Sequence, residues 1–219
     1  MSLLNERMSS GLKVGVTGHR PNRLVDIDDT ALRQSIREAL TAIVNGTPGY
    51  QRTVISPLAE GADRMVAWEA LNAGYRLVCP LPFSREEYAR DFTTVDSHAE
   101  YSALLSQADT VVELPGTRDT PDCTDAAYAA VGRHIVSRSD LLIAVWDGHR
   151  ARGDGGTADV VAAALANRMP VIWIATQPPS RVRVITREGT IARNGADLSS
   201  LPSLIARRIR IRDDRHLTS

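Results

Sequence analysis

The stretch VGVTGHRP, from Val14 to Pro21, begins with alternating small and β-branched residues and then breaks into Thr-Gly-His-Arg-Pro. The first half predicts a β-strand, because β-branched side chains fit a pleated sheet. In the second half, Gly18 allows the main chain to come close to a ligand, and Pro21 stops regular structure. The stretch therefore predicts a strand followed by a loop that can contact a ligand.

Further apolar runs follow along the chain, and helical patterns separate them. The six runs are KVGVT (13–17), TVISP (53–57), RLVCPL (76–81), TVVELP (110–115), DLLIAVWD (140–147) and PVIWIA (170–175). Several are apolar almost throughout, which is expected of strands that helices cover on both faces. The order predicts an α/β fold: a Rossmann-like, doubly wound, mostly parallel sheet with helices on both faces.

The predicted sheet domain covers residues 13–176. We expect residues 1–12 to form a disordered lead-in, since they contain no continuous apolar region of a signal peptide. Residues 84–107 exceed a plain crossover and could fold over one edge of the site as a cap. Residues 177–219 predict an appendage of the same domain, with a hairpin that turns near Glu188-Gly189 and a helix over 201–212.

Charge and composition limit the classes of partner and the cellular compartment that we expect for the protein. Lys+Arg and Asp+Glu are both 26, so no net charge attracts the chain to nucleic acid or to an anionic membrane. The two cysteines have neither metal-ligand spacing nor the density of a disulfide scaffold, which indicates a reducing cytoplasm. The basic tail RRIRIRDDR (207–215) contains no aromatic residues to stack on bases. Since related folds often pair through their outer helices, we expect a homo-oligomer.

Three loops at predicted strand ends carry the candidate site. Ligands bind beyond the carboxyl ends of the strands in open parallel sheets. The loops are TGHRPNR (17–23), SPLAEGADR (56–64) and WDGHRARGDGGT (146–157). In the first, Thr17 offers a hydroxyl group and Arg20 can hold a phosphate or carboxylate with two hydrogen bonds.

The third loop gives the strongest signal, because Gly155-Gly156-Thr157 leads directly into a helix. A helix start exposes main-chain N–H groups without internal partners, and the helix dipole adds positive charge there. These features predict a phosphate site. The alternative is a flexible turn in which Thr157 is the N-cap, although this explains two adjacent glycines less well.

The stretches VGVTGHRP, ISPLAEGADRMVAWEAL, LVCPLPF and GDGGTADVV resemble the SLOG superfamily, whose members include the LOG ("lysine decarboxylase-like") phosphoribohydrolases and DprA/Smf. The resemblance covers about Lys13 to Ala175 and is strongest to a branch with Gly-His-Arg after the first strand. It implies a nucleotide-sized ligand with phosphate at the Gly-Gly-Thr turn. The implied ligand contacts are Thr17, Gly18, His19, Arg20, Gly61, Ala62, Asp63, Arg64, Gly155, Gly156 and Thr157.

One residue departs from the LOG pattern PGGxGTxxE, whose Glu takes part in cleaving the N-glycosidic bond. Val160 stands in its place and can neither transfer a proton nor stabilise an oxocarbenium ion. Glu60, Asp63 and Asp147 are the candidate catalytic acids. Asp147 could also reach a ribose hydroxyl or a metal such as Mg²⁺. For each acid taken singly, a purely structural role, such as an ion pair or a helix cap, is the simpler interpretation.

Gly-His-Arg occurs twice, at His19 and at His149, each time in a predicted ligand-facing loop. A histidine there can bind a base or phosphate, and His19-Arg20 is the stronger candidate. We expect the three tryptophans to lie in the core rather than to stack on bases.

Three functions stay open. The first is a nucleotide-binding or sensing protein without a fixed cofactor or a predicted metal site, and the second is a hydrolase of a nucleotide N-glycosidic or phosphate-linked bond. The third, which the neutral charge does not favour, is DprA-like binding of single-stranded DNA.

Overall fold

A single sheet forms the centre of the protein. The computed structural model describes residues 11–149, 156–176, 182–187, 189–190, 198 and 200–217. The strands are β1 (Leu12–Gly18), β2 (Arg52–Ile55), β3 (Arg76–Leu81), β4 (Thr110–Glu113), β5 (Leu141–Trp146), β6 (Val171–Ala175), β7 (Val182–Thr186) and β8 (Gly189–Thr190). The first six, which coincide with the six predicted runs, pair in parallel, and the last two are antiparallel. The mostly parallel Rossmann-like sheet is confirmed.

The strand order is β4-β3-β2-β1-β5-β6-β7-β8. Successive strands are therefore added on one side of β1 as far as β4, and on its other side from β5 onward. The carboxyl ends of β1 and β5 are level, because Gly18 pairs with Val145. The fold therefore opens a crevice between the loops that follow these two strands, where open α/β sheets bind ligands.

Helices cover both faces of the sheet. They are α1 (Asp29–Gly46), α2 (Ala62–Asn72), α3 (Arg85–Ala89), α4 (Val95–Ser106), α5 (Pro121–Arg138), α6 (Thr157–Ala166) and α7 (Leu201–Leu217). In β5, Ile143 and Val145 pack into one core, which includes residues of α1, α2 and α7. Leu142 and Ala144 pack into the other core, with residues of α5 and α6. Both faces of the strand are buried, and its sequence is accordingly apolar without alternation.

Several helix starts have local signals in the sequence. The carboxylate of Asp28 accepts the amides of Thr30 and Ala31 at the start of α1. Thr94 and Thr120 cap α4 and α5 in the same way, through the amides of Ser97 and Cys123. These caps satisfy main-chain donors that a helix leaves without partners.

The C-terminal part joins the main sheet and core. Strand β7 pairs with β6, and β8 pairs with β7, which forms the predicted hairpin, although Glu188 in its turn lies outside the described residues. Helix α7 continues to Leu217, beyond the predicted end, and buries Leu201, Ile205 and Ile209 in the first core. At the other end, β1 begins at Leu12, which is fully buried, one residue before its predicted start. In the described parts of the chain, each helix is too short or too polar to cross a membrane.

Candidate functional site

A cavity of about 370 Å³ lies at the carboxyl ends of β1 and β5. Its wall contains residues from all three predicted loops and from α3 and α5. The lining residues are Val16, Thr17, Gly18, His19, Arg20, Asn22, Arg23, Pro57, Ala59, Asp63, Pro82, Tyr88, Tyr128, Val131, Gly132, Ile135, Trp146, His149, Gly156, Thr157, Ala158 and Val160. The structure thus brings Arg20 and Thr157 to one cavity, as the sequence predicts.

The first two loops touch through two glycines. The amide of Ala62 donates to the carbonyl of His19 over 3.1 Å. Gly61 has a φ of +97°, and a Cβ atom there would lie 2.7 Å from that carbonyl oxygen. A Cβ atom on Gly18 would lie 2.5 Å from Cβ of Ala62. Both glycines therefore allow close packing of the loops. Gly61 and Ala62, which were predicted to contact the ligand, are not among the residues that line the cavity.

His19 connects the loops after β1 and β5. Its side chain is 3% exposed, and its Nε2 accepts the main-chain amide of Asp147 over 3.1 Å. Oδ1 of Asp147 lies 3.2 Å from the same nitrogen. Burial lowers the pKa of His19, and Asp147 opposes the decrease only in part. His19 is therefore neutral at pH 7, with Nε2 as the acceptor.

Asp147 is held on several sides. Its Oδ2 pairs with Arg23 at 2.5 Å, and its Oδ1 accepts the amide of His149 over 2.9 Å. Burial acts to raise the pKa of Asp147, but the His149 amide, His19 and Arg23 outweigh this effect, and the pKa is lowered. The carboxylate is ionised at pH 7 and fixes the loop. It does not appear among the cavity-lining residues, although its partners do.

Arg20 offers a positive charge to the cavity. Its side chain is 46% exposed, lies 5.7 Å from the ring centre of Tyr128, and approaches Asp91 at 3.7 Å. Asp91 in turn accepts the Tyr128 hydroxyl and pairs with Arg118. Arg20 also hydrogen-bonds to Tyr128, and as a lining residue that is nearly half exposed it is accessible to a ligand in the cavity. Tyr88, Asp91, Arg118 and Tyr128 were not predicted as site residues, since nothing local in the sequence connects them to the loops.

Asp63 and Arg64 are adjacent in α2 but have different environments. Asp63 lines the cavity and is 4% exposed. Burial raises its pKa to about 7, against the charge of Arg20 and the amides of Ala59 and Gly18. Arg64 is 1% exposed and packs 4.1 Å from the ring centre of Phe92.

The predicted ligand contact of Arg64 does not agree with this placement. Its guanidinium donates to the carbonyl of Leu58 and to Ser97, and it pairs with Glu100. These partners belong to the loop after β2 and to α4, so Arg64 fastens the loop to the segment 84–107. That segment was predicted as a cap, and α3 within it contributes Tyr88 to the cavity wall. Glu60, a predicted acid, is partly exposed and is absent from the lining residues.

The start of α6 points into the cavity. Gly156 is the N-cap, no described side chain caps the helix, and Gly156, Thr157 and Ala158 line the wall. The alternative prediction that Thr157 is the cap is therefore wrong. Gly155 and Asp154 lie outside the described residues. Val160 is 7% exposed, and a Cβ atom on Gly132 would lie 2.8 Å from it, so the valine serves the packing of α5 against α6.

Trp146 is the last residue of β5, and His149 lies in the loop that follows. His149 lines the cavity but is 67% exposed, unlike its sequence counterpart His19. Trp146 lines the cavity and packs on Trp173 at 5.7 Å between ring centres, so the core role expected for Trp146 is incomplete. Among the residues with a described placement, there is no group of three metal-ligating His, Cys, Asp or Glu side chains.

Comparison with known proteins finds no matching family model and no matching curated protein. Solved structures do match. DNA processing protein A (DprA) from Streptococcus pneumoniae has a TM-score of 0.52 and 17% identity, over 81% of this chain and 53% of that chain. DprA from Helicobacter pylori, described for its single-stranded DNA binding, has a TM-score of 0.49 and 16% identity, over 82% and 71%. The molybdenum cofactor carrier protein from Chlamydomonas reinhardtii has a TM-score of 0.43 and 21% identity, over 76% and 79%.

The chain shares its Rossmann-like α/β fold with DprA from Streptococcus pneumoniae. At these identities the likeness concerns the fold alone. In this Rossmann-like fold, the switch in strand order between β1 and β5 determines where the cavity forms.

Proposed function

We propose that the cavity binds a nucleotide or nucleotide-derived ligand through its phosphate group, and that the protein acts as a sensor or ligand-binding protein. One observation carries the proposal: Arg20 and the first residues of α6 line the same cavity. Arg20 supplies a permanent positive charge and several donors. The helix start supplies main-chain amides and the positive end of the dipole. A phosphate bound between Arg20 and the start of α6 would interact with both groups.

The rest of the cavity suits a ligand larger than inorganic phosphate. Its volume of about 370 Å³ lies in the range of small-molecule sites. Tyr128 and Trp146 contribute aromatic surface to the wall, against which a base or sugar can pack. A nucleotide combines such apolar surface with an anionic group, which supports this ligand class.

Isothermal titration calorimetry tests the proposal. The panel contains nucleoside mono-, di- and triphosphates, NAD and ADP-ribose, with unphosphorylated nucleosides for comparison and a short single-stranded oligonucleotide for the DprA-like alternative. We expect binding of at least one phosphorylated compound and none of its nucleoside. Because hydrogen bonds to charged groups are strong, Arg20→Ala should weaken that binding by about tenfold or more.

Arg76→Ala is the matched control for Arg20→Ala. Arg76 is 52% exposed and pairs with Asp109, but it lies at the first residue of β3, at the opposite end of the sheet. Its removal should leave ligand affinity unchanged. If both arginine variants bind every phosphorylated compound as the wild type does, the phosphate site is not in this cavity.

A hydrolase is the second candidate, because Asp63 is a cavity-lining carboxyl group whose pKa is raised to about 7 by burial. A general acid or base works best when its pKa is near the working pH. Asp147 is less suited to donate a proton, since its pKa is lowered. Chromatography after incubation with nucleoside monophosphates, with and without Mg²⁺, tests the reaction. Product that disappears in Asp63→Asn supports hydrolysis, and absence of product from the wild type excludes it for these substrates.

A further inference from the structure

A carboxylate oxygen in the cavity wall lacks a partner. Asp63 is 4% exposed, and within the described residues its Oδ1 makes no hydrogen bond. Buried polar atoms are nearly always paired in folded proteins, because an unpaired one loses its hydration without compensation. Since Asp63 lines the cavity, a molecule that enters the cavity can supply the missing donor.

Hydrogen bonds hold the main chain around Asp63 in place. The carbonyl of Asp63 accepts the hydroxyl of Ser56 over 3.1 Å, and the preceding amide, of Ala62, donates to His19. The next residue, Arg64, is anchored in the core by its bonds to Leu58 and Ser97. The main chain on both sides of Asp63 is thus held in place, and Asp63 lies buried in the cavity wall.

Several groups beside Asp63 interact with its carboxyl group. Burial raises the pKa of Asp63 to about 7, and the charge of Arg20 and the amides of Ala59 and Gly18 limit this rise, so a large share of Asp63 is ionised at neutral pH. Tyr88, which is 1% exposed, lies on the same wall. Burial raises the pKa of Tyr88, and the nearby charge of Asp63 adds to this rise. A ligand donor that reaches Oδ1 would therefore complete a set of contacts that the protein has assembled in part.

We infer that Asp63 is a specificity-determining residue, whose Oδ1 accepts a hydrogen bond from a hydroxyl or amino group of the ligand. The inference rests on the proposed phosphate site, because Arg20 and the start of α6 line the same cavity. It defines the ligand class more closely: an anionic group and a hydrogen-bond donor on one molecule. A phosphorylated sugar or an aminoalkyl phosphate belongs to this class, and a simple alkyl phosphate does not.

Calorimetry with three small probes tests the inference. Ribose 5-phosphate carries hydroxyl donors, 2-aminoethyl phosphate carries an ammonium donor, and methyl phosphate carries neither. We expect the wild type to bind at least one of the first two about tenfold more tightly than methyl phosphate. Asp63→Leu, which removes the acceptor at similar size, should abolish this preference while methyl phosphate still binds. Loss of the negative charge of Asp63 could strengthen the binding of every phosphate probe. The ratio between the affinities of two probes is not changed by such a general increase.

Glu60→Gln is the control, since Glu60 lies in the same loop without lining the cavity, and it should keep the preference. Thermal unfolding checks each variant, and Asp63→Ala replaces Asp63→Leu if the larger residue prevents folding. Equal affinity of the wild type for all three probes, or a preference that survives loss of Asp63, overturns the inference and leaves the phosphate site standing. If none of the probes and none of the nucleotides bind, the proposed function fails and takes the inference with it.

Discussion

Nε2 of His19 accepts the main-chain amide of Asp147 over 3.1 Å, across 128 residues of sequence. The bond joins the loop after β1 to the loop after β5 at the point where the strand order reverses. Asp147 also holds Arg23 and the amide of His149. These contacts join the two loops beside the crevice, and a site built from distant loops requires such support.

His19→Ala should destabilise the protein, because it leaves the amide of Asp147 without its acceptor. We expect a loss of about 1–3 kcal/mol in the free energy of unfolding. His149→Ala should stay within about 0.5 kcal/mol of the wild type, since that side chain is 67% exposed. Urea unfolding measures both. Equal effects of the two variants would contradict the role given to His19.

The two histidines also mark what sequence alone can predict of the site. Both occur as Gly-His-Arg after a strand, but His19 directly follows the last residue of β1 and is buried, whereas His149 lies three residues after the end of β5 and is exposed. Arg64 presents the same difficulty. It follows a cavity-lining residue directly, but a step of one residue along α2 directs it into the core. Tyr88 and Tyr128 were missed because tertiary packing, rather than a local motif, brings them to the cavity.

Gly61→Ala should cost more stability than Gly74→Ala. Both glycines have positive φ, +97° and +79°, so both substitutions strain the main chain by about 1 kcal/mol or more. At Gly61 the new Cβ would also lie 2.7 Å from the carbonyl of His19, whereas at Gly74 nothing lies within 4 Å. The difference between the two melting temperatures isolates the contact between the loops. A Gly61→Ala variant as stable as Gly74→Ala would show that the loops separate readily.

Arg64→Met should lower stability by about 3 kcal/mol or more. The change removes a buried cation that donates to Leu58, Ser97 and Glu100, and leaves these acceptors without their donor. Arg90→Met is the control, because Arg90 is 74% exposed and its loss should be nearly neutral. Thermal unfolding measures both variants. A stable Arg64→Met protein that no longer binds ligand would instead support the contact implied by the resemblance.

The fold was more predictable than the site because burial determines sequence over whole strands. The run LLIAVW (141–146) is apolar at successive positions because both of its faces are covered. Helix α7 was predicted too short at its C-terminal end, because the polar residues after Arg212 give no periodic signal.

Asp63 should make stability depend on pH. Its pKa is about 7 in the folded protein, raised by burial above 3.8. The folded state therefore binds the proton more tightly than the unfolded state. The stability that this proton provides is complete below pH 4 and is lost as the pH rises from there through 7.

Asp63→Asn removes this dependence, so the variant should gain stability relative to the wild type between pH 5 and pH 8. Urea unfolding of both proteins at the two pH values measures the change, and all other titrating groups cancel in the comparison. The same stability difference at pH 5 and pH 8 would mean that Asp63 titrates normally.

Gly156→Asp should abolish phosphate binding without unfolding the protein. Gly156 is the N-cap of α6, with φ −75° and ψ 172°, a conformation that aspartate adopts freely. An aspartate there caps the helix with its own carboxylate, which is favourable for stability. The same carboxylate occupies the amides that the ligand phosphate would use and repels its charge.

Gly156→Asn is the matched control, because asparagine has the same shape and caps the helix without a charge. Both variants should melt at or above the wild-type temperature. We expect Asn to weaken nucleotide binding by a few fold and Asp by about a hundredfold or more, since only the latter adds repulsion between two desolvated anions. Calorimetry with the tightest compound of the nucleotide panel gives the comparison. Equal affinities for the two variants would place the phosphate away from the start of α6, whatever the contribution of Arg20.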